Sequence, residues 1–277
     1  MIWRGKQGSS NVDDRRGMSG GGLAVGGGIG GVIIALLYMF LGGDPSEMPP
    51  IGGGGGSATP MSQQEQAADD SLAQFTKVVL EYTEDVWTKL LPGYDKPTLV
   101  LFRDGVESAC GNASAASGPF YCPGDQKVYI DLSFFKELKQ RFGAPGDFAM
   151  AYVVAHEVGH HIQNLMGTSE KVQEARRRLS ESEYNKLSVK LELQADFYAG
   201  VWANHAHQME SILEPGDIDE ALGAANAIGD DRLQRESQGR VTPDAFTHGT
   251  SAQRMYWFKK GFESGDVRQG NTFEQER

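Results

Sequence analysis

The stretch that most constrains this chain is Tyr152 to Asn164, YVVAHEVGHHIQN, with its core His156-Glu157-Val158-Gly159-His160. On an α-helix, residues four apart lie one turn apart on the same face, so His156 and His160 can offer two imidazole nitrogens to one metal ion. Glu157 then lies beside that metal and outside its ligand set, where a carboxylate can take a proton from water activated for attack on a peptide bond. An amphipathic helix with two surface histidines would satisfy the same five letters. The apolar run Ala151-Tyr152-Val153-Val154-Ala155 argues instead for a buried helix, in which ionisable groups need a partner or a metal. Gly159 costs up to about 1 kcal/mol in helix propensity, which a close approach to a metal or another backbone would explain. His161 falls one position off the ligand face and reads as structural or exposed.

Two histidines leave a zinc shell open, and a catalytic site usually adds a third protein ligand and a water. The candidates downstream are Glu192, Asp196, His205, His207 and His248. Glu192 and Asp196 share one face of a helical pattern with Leu187, Leu191, Ala195, Tyr198, Ala199 and Trp202. A ligand at Glu192, with Asp196 one turn on accepting the second ring N–H of a zinc histidine, accounts for two carboxylates on a largely apolar face. A salt-bridged surface pair is the alternative. His205 and His207 fall near the end of that helix, where a cation suits the dipole, and are expected to be exposed.

The rest of the chain divides by composition. Residues 1–22 are polar, with Arg4, Lys6, Arg15 and Arg16 set against Asp13 and Asp14, and are expected to be mostly disordered. Residues 23–41 carry no charge and are about long enough to cross ~30 Å of hydrocarbon as a transmembrane helix. No Lys or Arg follows before Lys77, so the charge bias places the N-terminus in the cytoplasm and the remainder outside. Residues 42–65, rich in Gly and Pro, read as a flexible linker. The folded domain is then 66–277. It starts with a helix patterned by Leu72, Phe75, Val78, Tyr82, Val86 and Leu90, and continues with strands within Pro97–Val106 and Gln126–Leu132. Cys110 and Cys122, the only cysteines, flank a short loop and favour a disulfide outside the cytoplasm, with two free buried thiols as the alternative. A formal net charge of -11 over 277 residues argues against a nucleic-acid partner.

The pairing of HEVGHH with the downstream Glu192-Leu193-Gln194-Ala195-Asp196 resembles the gluzincin arrangement, HExxH plus ExxxD. With MIWRGKQGSSNVDDRRG at the start and GPFYCPGDQKVYIDL ahead of the motif, nearly the whole chain is similar to the bacterial neutral zinc metallopeptidases, the YpfJ-like group. That resemblance implies a mainly helical α+β domain of minimal gluzincin type with a small sheet, one Zn2+ per chain, and a peptide or protein substrate. It implies His156, His160 and Glu192 as metal ligands, Glu157 as general base and Asp196 behind a ligand. The segment Thr247-His248…Arg254 is similar to the T-H-P…R segment of membrane prenyl-protein proteases, which suggests His248 as a donor to the oxyanion. His248 and Thr250 as helix-start residues, with Arg254 in a buried ion pair, is the competing reading. An extended substrate is expected to add to an edge strand within Pro119–Ile130. A catalytically silent zinc-containing scaffold and a cell-wall amide hydrolase stay open as other functions. The sequence leaves the oligomeric state open.

Overall fold

The computed structural model describes residues 1–17 and 61–274. Ser62 opens helix α1 (Gln63–Leu90) with a capping box, its side chain accepting from the Glu65 backbone while the Glu65 carboxylate accepts from the Ser62 N–H. The helix thus begins three residues earlier than the composition suggests, and its apolar stripe lies in the core with Phe75, Val78, Val79, Leu80, Val86 and Trp87. Strand β1 (Val12–Asp14) precedes it in the chain. After it come β2 (Thr98–Phe102), β3 (Gly105–Ser108), β4 (Gly111–Ser114), β5 (Phe120–Cys122) and β6 (Lys127–Asp131).

Among the described residues the main sheet has the order β1-β2-β6-β5, and β3 and β4 form a separate antiparallel hairpin. The β1–β2 and β2–β6 pairs are parallel, and β5 runs antiparallel to β6 at one edge with Tyr121 opposite Val128. The central strands carry near-continuous apolar runs, Leu99-Val100-Leu101-Phe102 and Val128-Tyr129-Ile130, because both of their faces are covered. Cys110 and Cys122 form the anticipated disulfide, which fastens the hairpin to the edge strand.

Seven α-helices follow among the described residues: α2 (Ser133–Gln140), α3 (Asp147–Leu165), α4 (Thr168–Arg176), α5 (Glu181–Glu210), α6 (Asp217–Ala227), α7 (Asp230–Gln238) and α8 (Ser251–Ser264). α3 is the motif helix, and it stops where Gly167 takes a left-handed conformation at φ 72°. It is buried along almost its whole length. Phe148, Tyr152, Val154, Val158 and Ile162 on it are fully buried, each worth about 1.5–3 kcal/mol. Glycines set how closely the helices approach. A Cβ on Gly159 would lie 2.9 Å from the Ala195 carbonyl of α5, and one on Gly200 or Gly261 would overlap the backbone of the facing helix, α8 or α5. The helix propensity given up at Gly159 is therefore exchanged for backbone contact between α3 and α5.

The N-terminal segment departs from expectation. Instead of a disordered tail, residues 1–17 are part of the domain: Val12, Asp13 and Asp14 pair with Leu99, Val100 and Leu101. Ser9 and Asn11 donate to the buried Glu84 carboxylate, and Arg16 bridges Asp14 and Asp69. The Met1 ammonium lies among Asp147, Glu214 and Asp217 at 2.6, 3.1 and 3.3 Å, at the start of α3. Of the charges that read as a solvated tail, Lys6 meets Glu210 and Arg16 reaches Asp69, while Arg15 pairs with Asp13 two residues away. The proposed transmembrane helix at 23–41 and most of the 42–65 linker lie outside the described residues. No described helix is long and apolar enough to cross a membrane.

Candidate metal centre

The motif's two imidazoles and the Glu192 carboxylate converge, with one ligand atom from each of His156, His160 and Glu192 lying within 4.8 Å of the others. α3 supplies the histidines from successive turns and α5 supplies the glutamate, and the Gly159–Ala195 contact brings the two helices close enough for this. His156 Nε2 is 3.1 Å from Glu192 Oε2, and His160 Nε2 is 3.4 Å from Glu192 Oε1. The three side chains keep a narrow opening to solvent, at 8%, 17% and 16% exposure for His156, His160 and Glu192.

The other nitrogen of each ring is already committed. His156 Nδ1 lies 2.8 Å from Asp196 Oδ1, and a carboxylate can only accept, so Nδ1 carries the hydrogen. His160 Nδ1 lies 2.9 Å from Gln163 Oε1, while the Gln163 amide donates to the Leu191 carbonyl and to Gln194. Both neutral rings therefore present a lone pair at Nε2 toward a carboxylate oxygen, acceptor facing acceptor. Only a proton or a metal ion reconciles that arrangement. Two ligands on a tetrahedral zinc at 2.0–2.1 Å sit about 3.3–3.4 Å apart, close to the separations found.

Electrostatics point the same way. Burial works against charge on His160, but Glu192 and Glu157 outweigh it and hold its pKa up at about 9. Burial likewise opposes a charged His156, and Asp196 and Glu192 raise its pKa nonetheless. Glu192 is buried too, yet His160, His248 and His156 keep its carboxyl well below the usual range. The site attracts positive charge, and a divalent cation satisfies it with the imidazoles neutral.

Asp196 is itself held. It is fully buried and accepts from Arg254 Nε at 2.8 Å through Oδ2, and from Arg254 Nη2 at 3.0 Å and Tyr152 Oη at 2.5 Å through Oδ1. Against the cost of burial, Arg254 and His156 depress its pKa to about 2. Arg254 comes from α8, donates also to Tyr152 Oη at 3.2 Å, and is itself 2% exposed. The buried ion pair expected of Arg254 and the helix-start role of Thr250, which caps α8 in a box with Gln253, are both present. Glu157 is 8% exposed, and among the described residues no hydrogen bond engages its carboxylate.

The remaining histidines separate by role. His161 is fully buried: Nε2 donates to the Asp95 carbonyl at 2.6 Å, so Nδ1 accepts from Tyr121 Oη at 3.0 Å, and Asn164 donates to the same hydroxyl. Burial lowers the His161 pKa, so the neutral ring serves as a structural link between α3 and edge strand β5. His205 is half-buried against the Gly265 carbonyl, and exposed His207 accepts from the Leu213 N–H. Neither joins the ligand cluster. His248 is half-exposed, near enough to Glu192 for each to shift the other's pKa. Sequence reasoning assigned no role to Gln163 or Tyr152. Their signal was helical spacing alone, three residues after His160 and four before His156.

Comparison with known proteins agrees with the geometry. A family model described as "Putative neutral zinc metallopeptidase" matches residues 1–273. The uncharacterized protein YpfJ of Escherichia coli K12 is 47% identical over 284 aligned residues, covering 99% of each chain. The uncharacterized protein Rv2575 of Mycobacterium tuberculosis H37Rv is 46% identical over 198, covering 68% of this chain and 66% of that one. No solved structure matches. The chain thus belongs to the neutral zinc metallopeptidase family that the pairing of HEVGHH with a downstream ELQAD suggested.

Proposed function

We propose that this protein hydrolyses peptide bonds with one zinc ion held by His156, His160 and Glu192. The observation that carries the reading is the convergence of two Nε2 lone pairs and one carboxylate, with both Nδ1 atoms engaged elsewhere. When bound there, zinc supplies Lewis acidity toward water and the scissile carbonyl. Glu157 takes the proton of the attacking water and passes it to the leaving amine, a role supported by its place one residue after a ligand and its unengaged carboxylate. Asp196, fixed by Arg254 and Tyr152, keeps the His156 ring aimed, and Gln163 does the same for His160. His248 is the candidate donor to the developing oxyanion. Strand β5 ends the sheet and is tied to α3 through Tyr121, so an extended peptide added to its free edge would lie alongside the motif helix.

The test is zinc content and hydrolysis of a broad peptide library by the full chain, wild type beside Glu157→Gln. Both proteins should hold one zinc, and the variant should lose on the order of 10²–10⁴ in kcat. A wild type without zinc, or a variant as active as wild type, would sink the proposal. Zinc without cleavage of any peptide favours a silent scaffold, and release of cell-wall fragments without casein cleavage favours an amide hydrolase.

The Cys110–Cys122 disulfide supports work in an oxidising, extracytoplasmic compartment of a bacterial cell. Thiol alkylation of intact cells should label neither cysteine before reduction; free thiols at both positions would place the domain in the cytoplasm.

A further inference from the structure

The Asp230 carboxylate gathers one loop around itself. Its Oδ2 accepts three successive backbone N–H groups, from Thr247 at 2.7 Å, His248 at 2.6 Å and Gly249 at 3.0 Å. Its own N–H donates to the Gly249 carbonyl at 2.9 Å, which closes the loop on the first turn of α7. Gly249 is at φ 94°, a conformation that side chains disfavour, and a Cβ there would meet Val189 and Leu193 at 3.1 and 3.3 Å. Those two residues flank Glu192 on α5. The loop is therefore pressed onto the turn that supplies the third metal ligand, and five residues further on Arg254 reaches Asp196 from α8.

Within this loop the His248 ring turns Nδ1 inward. Nδ1 lies 3.3 Å from Asp230 Oδ1 and 2.9 Å from Thr247 Oγ1, while the side chain as a whole is 51% exposed. Asp230 is 11% exposed and can only accept. Nδ1 thereby carries a hydrogen toward Asp230, and Nε2 is left for a bound substrate, to which it donates when the ring is an imidazolium and only accepts when the ring is neutral. We propose that Asp230 is a positioning residue: it holds the 247–249 loop and fixes His248 in the orientation that presents Nε2 beside the Glu192 turn. This rests on the peptidase reading for what Nε2 would touch, and on hydrogen-bond geometry alone for how it is held.

The experiment uses the full chain as wild type, Asp230→Asn, His248→Ala and the double variant. Asn keeps one oxygen for the backbone N–H groups and replaces the other by an amide that cannot accept from Nδ1, so the fold is retained. Imidazole nitrogen NMR of neutral His248 should report hydrogen on Nδ1 in wild type and a shift toward Nε2 in Asp230→Asn. A wild-type ring with its hydrogen on Nε2 overturns the proposal whether or not any peptide is cleaved. In turnover assays, Asp230→Asn should lower kcat about tenfold or more at unchanged KM and zinc content. It should change kcat less than about twofold when His248 is already Ala, the coupling expected of residues acting through one another. Equal losses in both backgrounds would make Asp230 a loop-stabilising residue only. A correct tautomer in a wild type that cleaves nothing would count against the peptidase reading and leave the positioning role standing.

Discussion

Arg254→Met separates a positioning network from ordinary packing, because Met fills much of the same space without the fork of donors. The substitution leaves Asp196, fully buried, with only Tyr152 Oη and His156 Nδ1 as partners. Breaking a buried ion pair by removing one member costs about 3–5 kcal/mol. For a domain of this size, at about 2–4 °C per kcal/mol, the melting temperature should fall by ~6–20 °C. A second effect follows at the metal, since Asp196 can then meet its need by taking a proton or by pulling the His156 ring off line. Loss of such an outer partner weakens zinc by about 10–100-fold. Thermal unfolding with and without excess zinc, alongside competition with a chromogenic chelator, reads both quantities. Arg254→Lys should fall between, keeping the charge but not the two-pronged contact. A Met variant that melts within about 2 °C of wild type and holds zinc as tightly would refute the idea that Arg254 sets the geometry of His156.

Four further outcomes can be checked. Gly159→Ala should destabilise by about 1–3 kcal/mol despite its better helix propensity, and weaken zinc, because the new methyl would stand 2.9 Å from the Ala195 carbonyl; a stabilised variant would mean that α3 and α5 can part freely. Zinc binding should release protons at pH 7 and strengthen up to about pH 9, since the metal-free His160 pKa is raised to about 9 and the proton must leave; calorimetry showing no buffer dependence would contradict this. Asp196, depressed to about 2, contributes stability that is present above its unfolded value of 3.8 and is lost as pH falls toward 2, which acid unfolding of wild type beside Asp196→Asn would detect. A chain lacking residues 1–17 should aggregate, because removing β1 bares the edge of the apolar strand β2, and a peptide of residues 1–17 added in trans should restore solubility.

Most helices were legible, and for a physical reason: their starts and stops are local. The helix patterned by Leu72 to Leu90, the HEVGHH helix and the helix carrying Glu192 and Asp196 all appear as α1, α3 and α5, because periodicity involves neighbours in sequence. The helix α7, carrying Asp230, gives little signal in the sequence, since it presents little apolar periodicity and is held by the 247–249 loop instead. The N-terminal segment was misread for the same kind of reason. Nothing local in Val12-Asp13-Asp14 demands a strand, and its pairing depends on β2, reached only across the intervening chain.

The site divides along the same line. His156, Glu157 and His160 are visible because helical spacing alone aligns them, and Glu192 with Asp196 because the same spacing puts two carboxylates on one buried face. What spacing cannot supply is the set of contacts that makes those ligands fit for a metal. Asp196 could serve as an acceptor for His156 or ruin the core, and Arg254, from a helix far along the chain, decides which. Asp230 stands in the same relation to His248. In each case a carboxylate fixes an imidazole and is itself fixed by the segment around Thr247–Arg254, so a stretch that carries no candidate metal ligand governs the aim of two of the site's three histidines. A substitution at Arg254 should therefore disturb zinc binding and turnover together, whereas one at His248 should lower turnover at unchanged zinc content.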